Sequence, residues 1–316
     1  MRDFSSSADH ALLLLGRLDG RLCNSPATDI WLARARLKGA ATLASFAGVP
    51  ISVADLQNWI CGRTPPPRHS EGLNDPLSIA ALFHFALSAT HGADPIARAT
   101  LNISRTLLDD RKEAGLWAPE DLVRFGPAWR TAQMLLEAPY PAATVQAIAQ
   151  RLIDARTSLD TPVSAAQLVT SADGRQWRIE PRRFDMGWVL ACHLPGALMA
   201  AGLSLRHLPS LVDLPRFLPD DPSLLADRIV TMIARQAGQG LIELDRLEAT
   251  LARLPEELRV TRRSKAPLLA RLALAYPGLS KMAVARLLGI SHQGATKLVA
   301  QMERLTGTDF SIAGGR

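Results

Sequence analysis

Apolar positions recur at three- and four-residue spacing along most of the chain, the mark of helices with one buried face. The first such segment covers residues 9–20. A second starts at Thr28-Asp29, read as its cap, and runs to about Phe46; a third, capped by Ser52, covers residues 53–59. Residues 76–91 are apolar on most faces and predict a buried helix. His84 within it, between Phe83 and Phe85, reads as a core histidine with its hydrogen bonds satisfied rather than as a catalyst. Residues 94–116, 129–137 and 142–158 predict further amphipathic helices, the last with Val145, Ile148, Leu152 and Ile153 on one face.

The period changes at residues 167–179. Two short runs flank Asp173-Gly174, the pattern of a β-hairpin, which should pack on the helical body because an isolated hairpin is marginal in water. Residues 186–205 form the longest apolar stretch. With Pro195, His193 and three glycines inside it and arginines beyond both ends, it predicts two buried helices broken at Pro195 rather than a membrane span.

A long helix begins at Asp220-Asp221-Pro222, where an acidic cap precedes a proline at the first helical position. Val230, Ile233, Ala237, Gly240, Leu244, Leu247, Leu251 and Leu254 then keep the three-four spacing up to Pro255. This seam has two readings: a coiled-coil-like surface that pairs two copies, or one face of a bundle within a single chain. Ala237, Gly238 and Gly240 in its middle allow a kink or the close approach of another helix.

After a basic connector at residues 259–265 and a helix at 266–276, residues 280–303 read as two short helices about a tight turn. Ser280 caps the first, Gly289 supplies the left-handed residue that ends it, and Ser291 caps the second. Val284, Ala285, Leu288, Ile290, Ala295 and Leu298 face one another across the turn. Outward remain Ser291, His292, Gln293, Thr296, Lys297 and Gln301, the hydrogen-bonding side chains of a helix that reads base edges in a major groove. An ordinary helical hairpin is the plainer alternative. Residues 305–312 leave room for a short β-wing.

The expected fold is therefore mainly α. A multi-helical N-terminal domain with one hairpin spans residues 1–215, a connecting and possible dimerisation helix spans 216–257, and a helix-turn-helix, winged if residues 305–312 pair, spans 258–316.

Charge favours the DNA-reading alternative. The chain of 316 residues has a formal net charge of +6. Residues 251–316 alone hold eleven Lys or Arg against four Asp or Glu, so the preceding 250 residues are close to neutral. A clustered excess of cations is the footprint of phosphate binding. His292, Gln293, Thr296 and Lys297 are the base-side candidates, with Gln293 suited to an adenine; Ser280, Lys281, Ser291, Arg262, Arg263 and Lys265 are the phosphate-side candidates.

Other chemistry finds little support. Cys23, Cys61 and Cys192 fit neither a zinc site nor a disulfide framework, which suits a reducing cytoplasm. The run at residues 11–15 is too short for a signal-peptide core. The loop at 61–74 carries Arg63, Arg68 and His69 and reads as a solvated connector, and Asp109-Asp110, among Arg105, Arg111 and Lys112, as a surface salt-bridge cluster. No Walker loop, GxGxxG, HExxH or GxSxG is present, and the seven histidines show no metal-ligand spacing. No catalytic residue, metal or cofactor is expected.

Two resemblances add to this. LIELDRLEATLARL at 241–254, RRSK at 262–265 and ARLLGISHQGATKLVAQMERLTG at 285–307 resemble an α-proteobacterial, largely rhizobial, family with an uncharacterised helical N-terminal domain and a C-terminal helix-turn-helix. The resemblance is good over roughly residues 180–316 and implies a DNA-binding, regulatory protein; it implies no reaction. That family often continues past LTG into an aromatic-containing strand, where this chain has the short TDFSIAGGR. More weakly, residues 31–59 are similar to the N-terminal helical region of Fic-type adenylyltransferases, yet the HPFxxGNGR-type loop that carries Fic chemistry is missing. The leading expectation is a cytoplasmic, homodimeric, sequence-specific duplex-DNA-binding regulator, with no membrane partner and with room for a small-molecule effector. The alternative is a protein-interaction or ligand-sensing module on a degenerate Fic-like scaffold, with an accessory helix-turn-helix.

Overall fold

The computed structural model describes residues 4–65, 76–89, 94–109, 126–159, 167–170, 173–179, 187–260 and 264–306. They are mainly helical, with one two-stranded antiparallel hairpin, as the apolar periodicity predicts. The helices are α1 (Phe4–Asn24), α2 (Thr28–Phe46), α3 (Val53–Ile60), α4 (Pro76–Ala89), α5 (Pro95–Asp109), α6 (Gly126–Leu136) and α7 (Val145–Leu159). After the hairpin of β1 (Gln167–Thr170) and β2 (Gln176–Ile179) come α8 (Gly187–Ala200), α9 (Pro222–Ala252), α10 (Glu257–Val260), α11 (Ala266–Ala275), α12 (Lys281–Leu288) and α13 (His292–Thr306).

The predicted long helix, α9, is capped as expected: Asp221 accepts a hydrogen bond from the Ser223 amide, and Pro222 occupies the first turn. Its three-four seam is buried by other parts of the same chain. Val230, Ile233, Ala237, Gly240, Leu244, Leu247 and Leu251 are all buried, and α9 packs along α1 and against α7 and α2. Of the two readings, the intramolecular one describes the seam, which leaves it no free face for a second copy. Gly240 serves close approach rather than a kink. A Cβ there would stand 2.9 Å from the Trp31 ring and 3.0 Å from Leu18, and the Trp31 indole N–H donates to the Gly240 carbonyl at 2.9 Å.

One apolar core runs from Leu15 of α1 to Met302 of α13. α11 enters it with Leu269, Leu272, Ala273 and Tyr276 buried, packing on α2 and α5, and α12 packs on α5. The C-terminal helices are therefore built onto the body.

Several local expectations need correction. Thr28 and Asp29 do not cap α2: the Thr28 hydroxyl donates to the Leu22 and Ser25 carbonyls, and Asp29 receives Arg271. Thr28 thus bonds the end of α1 and the turn after it, and Asp29, which also accepts the Ile30 amide, pairs with a distant arginine. Pro195 does not break α8, which runs unbroken through it. An interior proline costs about 3 kcal/mol. Val189, Leu190, Leu194 and Leu198 are fully buried, and at about 1.5–3 kcal/mol each they outweigh that cost. The hairpin forms with the expected turn, Gly174 at φ +81°, but residues 168–170 and 173–178 are exposed rather than buried against the body. His84 is fully buried, yet neither ring nitrogen has a hydrogen-bond partner among the described residues, so it is not the satisfied core histidine expected. The prolines and basic residues of 66–75, the acidic pair at 109–110 and the possible wing beyond 306 lie outside the described residues or their described side chains.

Candidate nucleic-acid interface

The C-terminal helices are positioned from the body upward. The Arg34 guanidinium on α2 donates to the Leu274 carbonyl at 2.7 and 3.0 Å, closing the C-terminal end of α11 with a cation. Arg271 on α11 reaches back to Asp29, with Nε at 2.7 Å, and to the Pro26 carbonyl. The chain then turns at Pro277-Gly278, where Gly278 has φ +89° and lies under the Arg63 side chain. Ser280 follows in extended conformation, and its hydroxyl accepts the Ala283 amide at 3.1 Å, capping α12.

The turn between α12 and α13 follows the sequence prediction residue by residue. Gly289 is left-handed, at φ +58°, and its amide and that of Ile290 bond back to Arg286 and Ala285. Ser291 then accepts the Gly294 amide at 3.1 Å and opens α13. Val284, Leu288 and Ala295 are buried in the angle between the helices, with Ala285, Ile290 and Leu298 partly covered; Ala283, Leu287, Val299 and Met302 extend the contact. The opposite face of α13 presents His292, Gln293, Lys297 and Gln301 to solvent. Thr296 is half-buried, and its hydroxyl bonds the His292 carbonyl of its own helix.

Not every predicted site residue faces outward with a free group. Ser280 and Ser291 spend their hydroxyls on caps, so their contribution to an anion would come through backbone amides of the first turns. The Lys265 ammonium donates to the Leu288 carbonyl at 2.5 Å and so closes the C-terminal end of α12. Arg262 and Arg263 lie outside the described residues. Lys281, Arg286 and Lys297 are exposed and form no ion pair among the described residues. From 264 to 306 there are six Lys or Arg against Glu303 alone; Arg271 is paired with Asp29, and Lys281, Arg286 and Lys297 are among the exposed ones that carry positive charge at the surface. Arg286 is not among the residues the sequence reading singles out; the signal for its exposure is a charged residue set between the apolar positions Val284, Leu287 and Leu288.

Elsewhere the structure assembles two polar clusters. On α8, the His193 Nδ1 lies 3.3 Å from Glu137 Oε1, and Trp129 packs on the imidazole with ring centroids 4.3 Å apart. Burial would raise the Glu137 carboxyl, but hydrogen bonds from His193 and Gln133 hold it below the ordinary value. These residues are 56 apart in sequence, and nothing local announces the pairing. Deeper in the body, Arg36, fully buried, donates to Asp94 at 2.5 Å, and its Nε and Nη1 have no partner among the described residues. Burial, with the Arg36 charge beside it, pushes His84 down to about 3, and burial raises the Tyr276 phenol. The Cys61 thiol is pushed up to about 12 by burial, which makes it a poor nucleophile.

No described helix is long and apolar enough to cross a membrane, and the described residues contain no group of three side chains able to hold a metal. Compared with protein-family models, with curated proteins and with solved structures, the chain matches none.

Proposed function

We propose that this chain binds duplex DNA in a sequence-dependent way, laying the N-terminal half of α13 in a major groove, and that it regulates transcription or a related DNA transaction. One observation carries the reading: His292, Gln293 and Lys297 stand exposed on one face of a helix whose other face is locked to α12 by a left-handed glycine turn. Lys281, Arg286 and Lys297 add cations that no described acid neutralises. Gln293 has the paired donor and acceptor that an adenine edge takes, and Lys297 suits a guanine or a nearby phosphate. The reading assigns no reaction and no cofactor.

Selection of binding sites from a genomic DNA library tests it. A recurring motif should emerge, and Gln293→Ala should relax preference at one position by about 1–3 kcal/mol without changing affinity for random DNA. The spacing of half-sites in the selected motif reports whether two copies bind together. Failure to enrich any motif at moderate salt would defeat the proposal.

A second reading, a protein-interaction module, draws on the hairpin. Val169 and Trp177 oppose each other across the strands, 43 % and 59 % exposed, an apolar pair that a partner could cover. Loss of a partner on Trp177→Ser, with DNA selection unchanged, would favour it.

A further inference from the structure

The turn that leads into α12 is held by α3 and the segment that follows it, more than 200 residues earlier. The Ser280 amide donates to the Cys61 carbonyl at 2.9 Å, and the Gln57 side-chain amide donates to the Pro277 carbonyl at 3.1 Å. The Arg63 Nε donates to the Gly278 carbonyl at 2.8 Å. Two glycines make this approach possible. A Cβ on Gly278 would lie 1.9 Å from Arg63 Nη2, and one on Gly62 would lie 2.7 Å from the Ser280 hydroxyl. Arg63 is thus fixed by its Nε, while its two terminal nitrogens form no ion pair or hydrogen bond among the described residues.

This places a guanidinium of the N-terminal body against the turn that leads into α12, at Gly278, ahead of Lys281, which is exposed and forms no ion pair among the described residues. When the second helix of such a pair enters the groove, the first crosses the phosphate backbone. Arg63 and Lys281 therefore stand where a phosphate would pass. A guanidinium held by one nitrogen, with two others free, is suited to a phosphate oxygen pair, and it has already lost the freedom that binding would otherwise cost.

We infer that Arg63 is a phosphate-contacting residue of the DNA interface, so that the N-terminal body is part of the nucleic-acid surface rather than a separate module tethered to it. The inference rests on the duplex-binding reading and extends it to a residue that sequence inspection assigns to a solvated connector.

The test is the salt dependence of binding by the full chain to its selected motif and to random duplex. Arg63→Gln removes the charge and keeps a donor for Gly278. It should lower the slope of log K against log salt by about 0.9 and weaken both DNAs alike, about five- to tenfold near 0.1 M salt. The base preference and the melting temperature should stay as in the wild type. Arg63→Lys should restore most of the slope. If Arg63→Gln leaves the slope unchanged while Lys281→Gln lowers it, duplex binding stands and the role of Arg63 falls. If Arg63→Gln lowers the melting temperature and Arg63→Lys fails to restore the slope, the residue is a structural clamp and the inference is again overturned. If the wild-type chain binds neither DNA, the reading beneath it fails first.

Discussion

α9 and α13 are patterned alike, apolar every three or four residues with polar side chains between, yet the chain treats their polar faces differently. On α9, Glu243 receives Lys38 at 2.5 Å and Arg34 at 3.4 Å, while Asp245 and Glu248 both receive Arg21, at 2.5 and 2.6 Å. Part of the polar side of α9 is thus tied to α1 and α2, while Arg228 and Arg246 stay exposed; its apolar side is buried by α1, α7 and α2. On α13 the apolar side is buried too, but His292, Gln293 and Lys297 answer to nothing in the described chain. Periodicity identifies a helix and its buried face. Whether the other face is finished, or still lacks a partner, depends on what faces it across the fold.

The sharpest way to break the comparison is to damage α9. Leu244 is fully buried, and Leu244→Ala should cost about 3 kcal/mol of stability through lost transfer energy and a residual cavity. Gln293→Ala on α13 should cost less than about 0.5 kcal/mol. Urea unfolding of the two variants measures both. Equal losses would mean that the exposed face of α13 is part of the fold after all.

Acid separates the regions next. His84 belongs to the buried body, and its folded pKa of about 3 lies below the value of 6.5 that the unfolded chain shows. Between those values the unfolded state binds a proton that the folded state does not. Stability is therefore complete above about pH 6.5 and declines as pH falls, by roughly 1 kcal/mol per unit from this residue. His84→Leu should remove that contribution, so its stability relative to wild type should rise as denaturant titrations move from pH 7 to pH 5. A constant difference across that range would show that His84 is solvated or partnered in the folded chain.

What the sequence showed and what it concealed divide along the same line. The caps at Ser52, Asp221, Ser280 and Ser291 and the left-handed Gly289 were legible because each is an agreement among four or five neighbouring residues. The outward set on α13 was legible for the same reason, since helix geometry places side chains by spacing alone. The errors at Asp29 and Pro195 came from partners and packing distant in sequence. Thr28-Asp29 looks like a cap until Arg271 claims the carboxylate, and Pro195 looks like a break until packing on both sides outweighs it. The fate of the α9 seam was undecidable locally, because a face for a second copy and a face for α1 have one pattern. Arg63 shows the same limit in reverse: a loop arginine acquires a place at the candidate interface only through a turn 215 residues away.

Two lysines that look alike in the sequence sharpen the contrast furthest, with the smallest expected effects. Lys265 and Lys297 both lie in the basic C-terminal segment and both qualify there as DNA contacts. In the structure the Lys265 ammonium is spent on the Leu288 carbonyl, where a cation stabilises the end of α12, while Lys297 is exposed and unpaired among the described residues. Lys265→Met should therefore lower stability by up to about 1 kcal/mol and leave the salt slope of DNA binding within error of wild type. Lys297→Met should leave the unfolding midpoint in place and alter binding alone, lowering the slope by about 0.9 if the ammonium meets a phosphate and narrowing base discrimination if it meets a guanine. Unfolding and binding measured on the same two proteins decide the matter. A Lys265 variant that changes only the slope would return that residue to the interface and show that the carbonyl contact is incidental, whereas a crossed pattern places the boundary between folding and recognition on α13 itself.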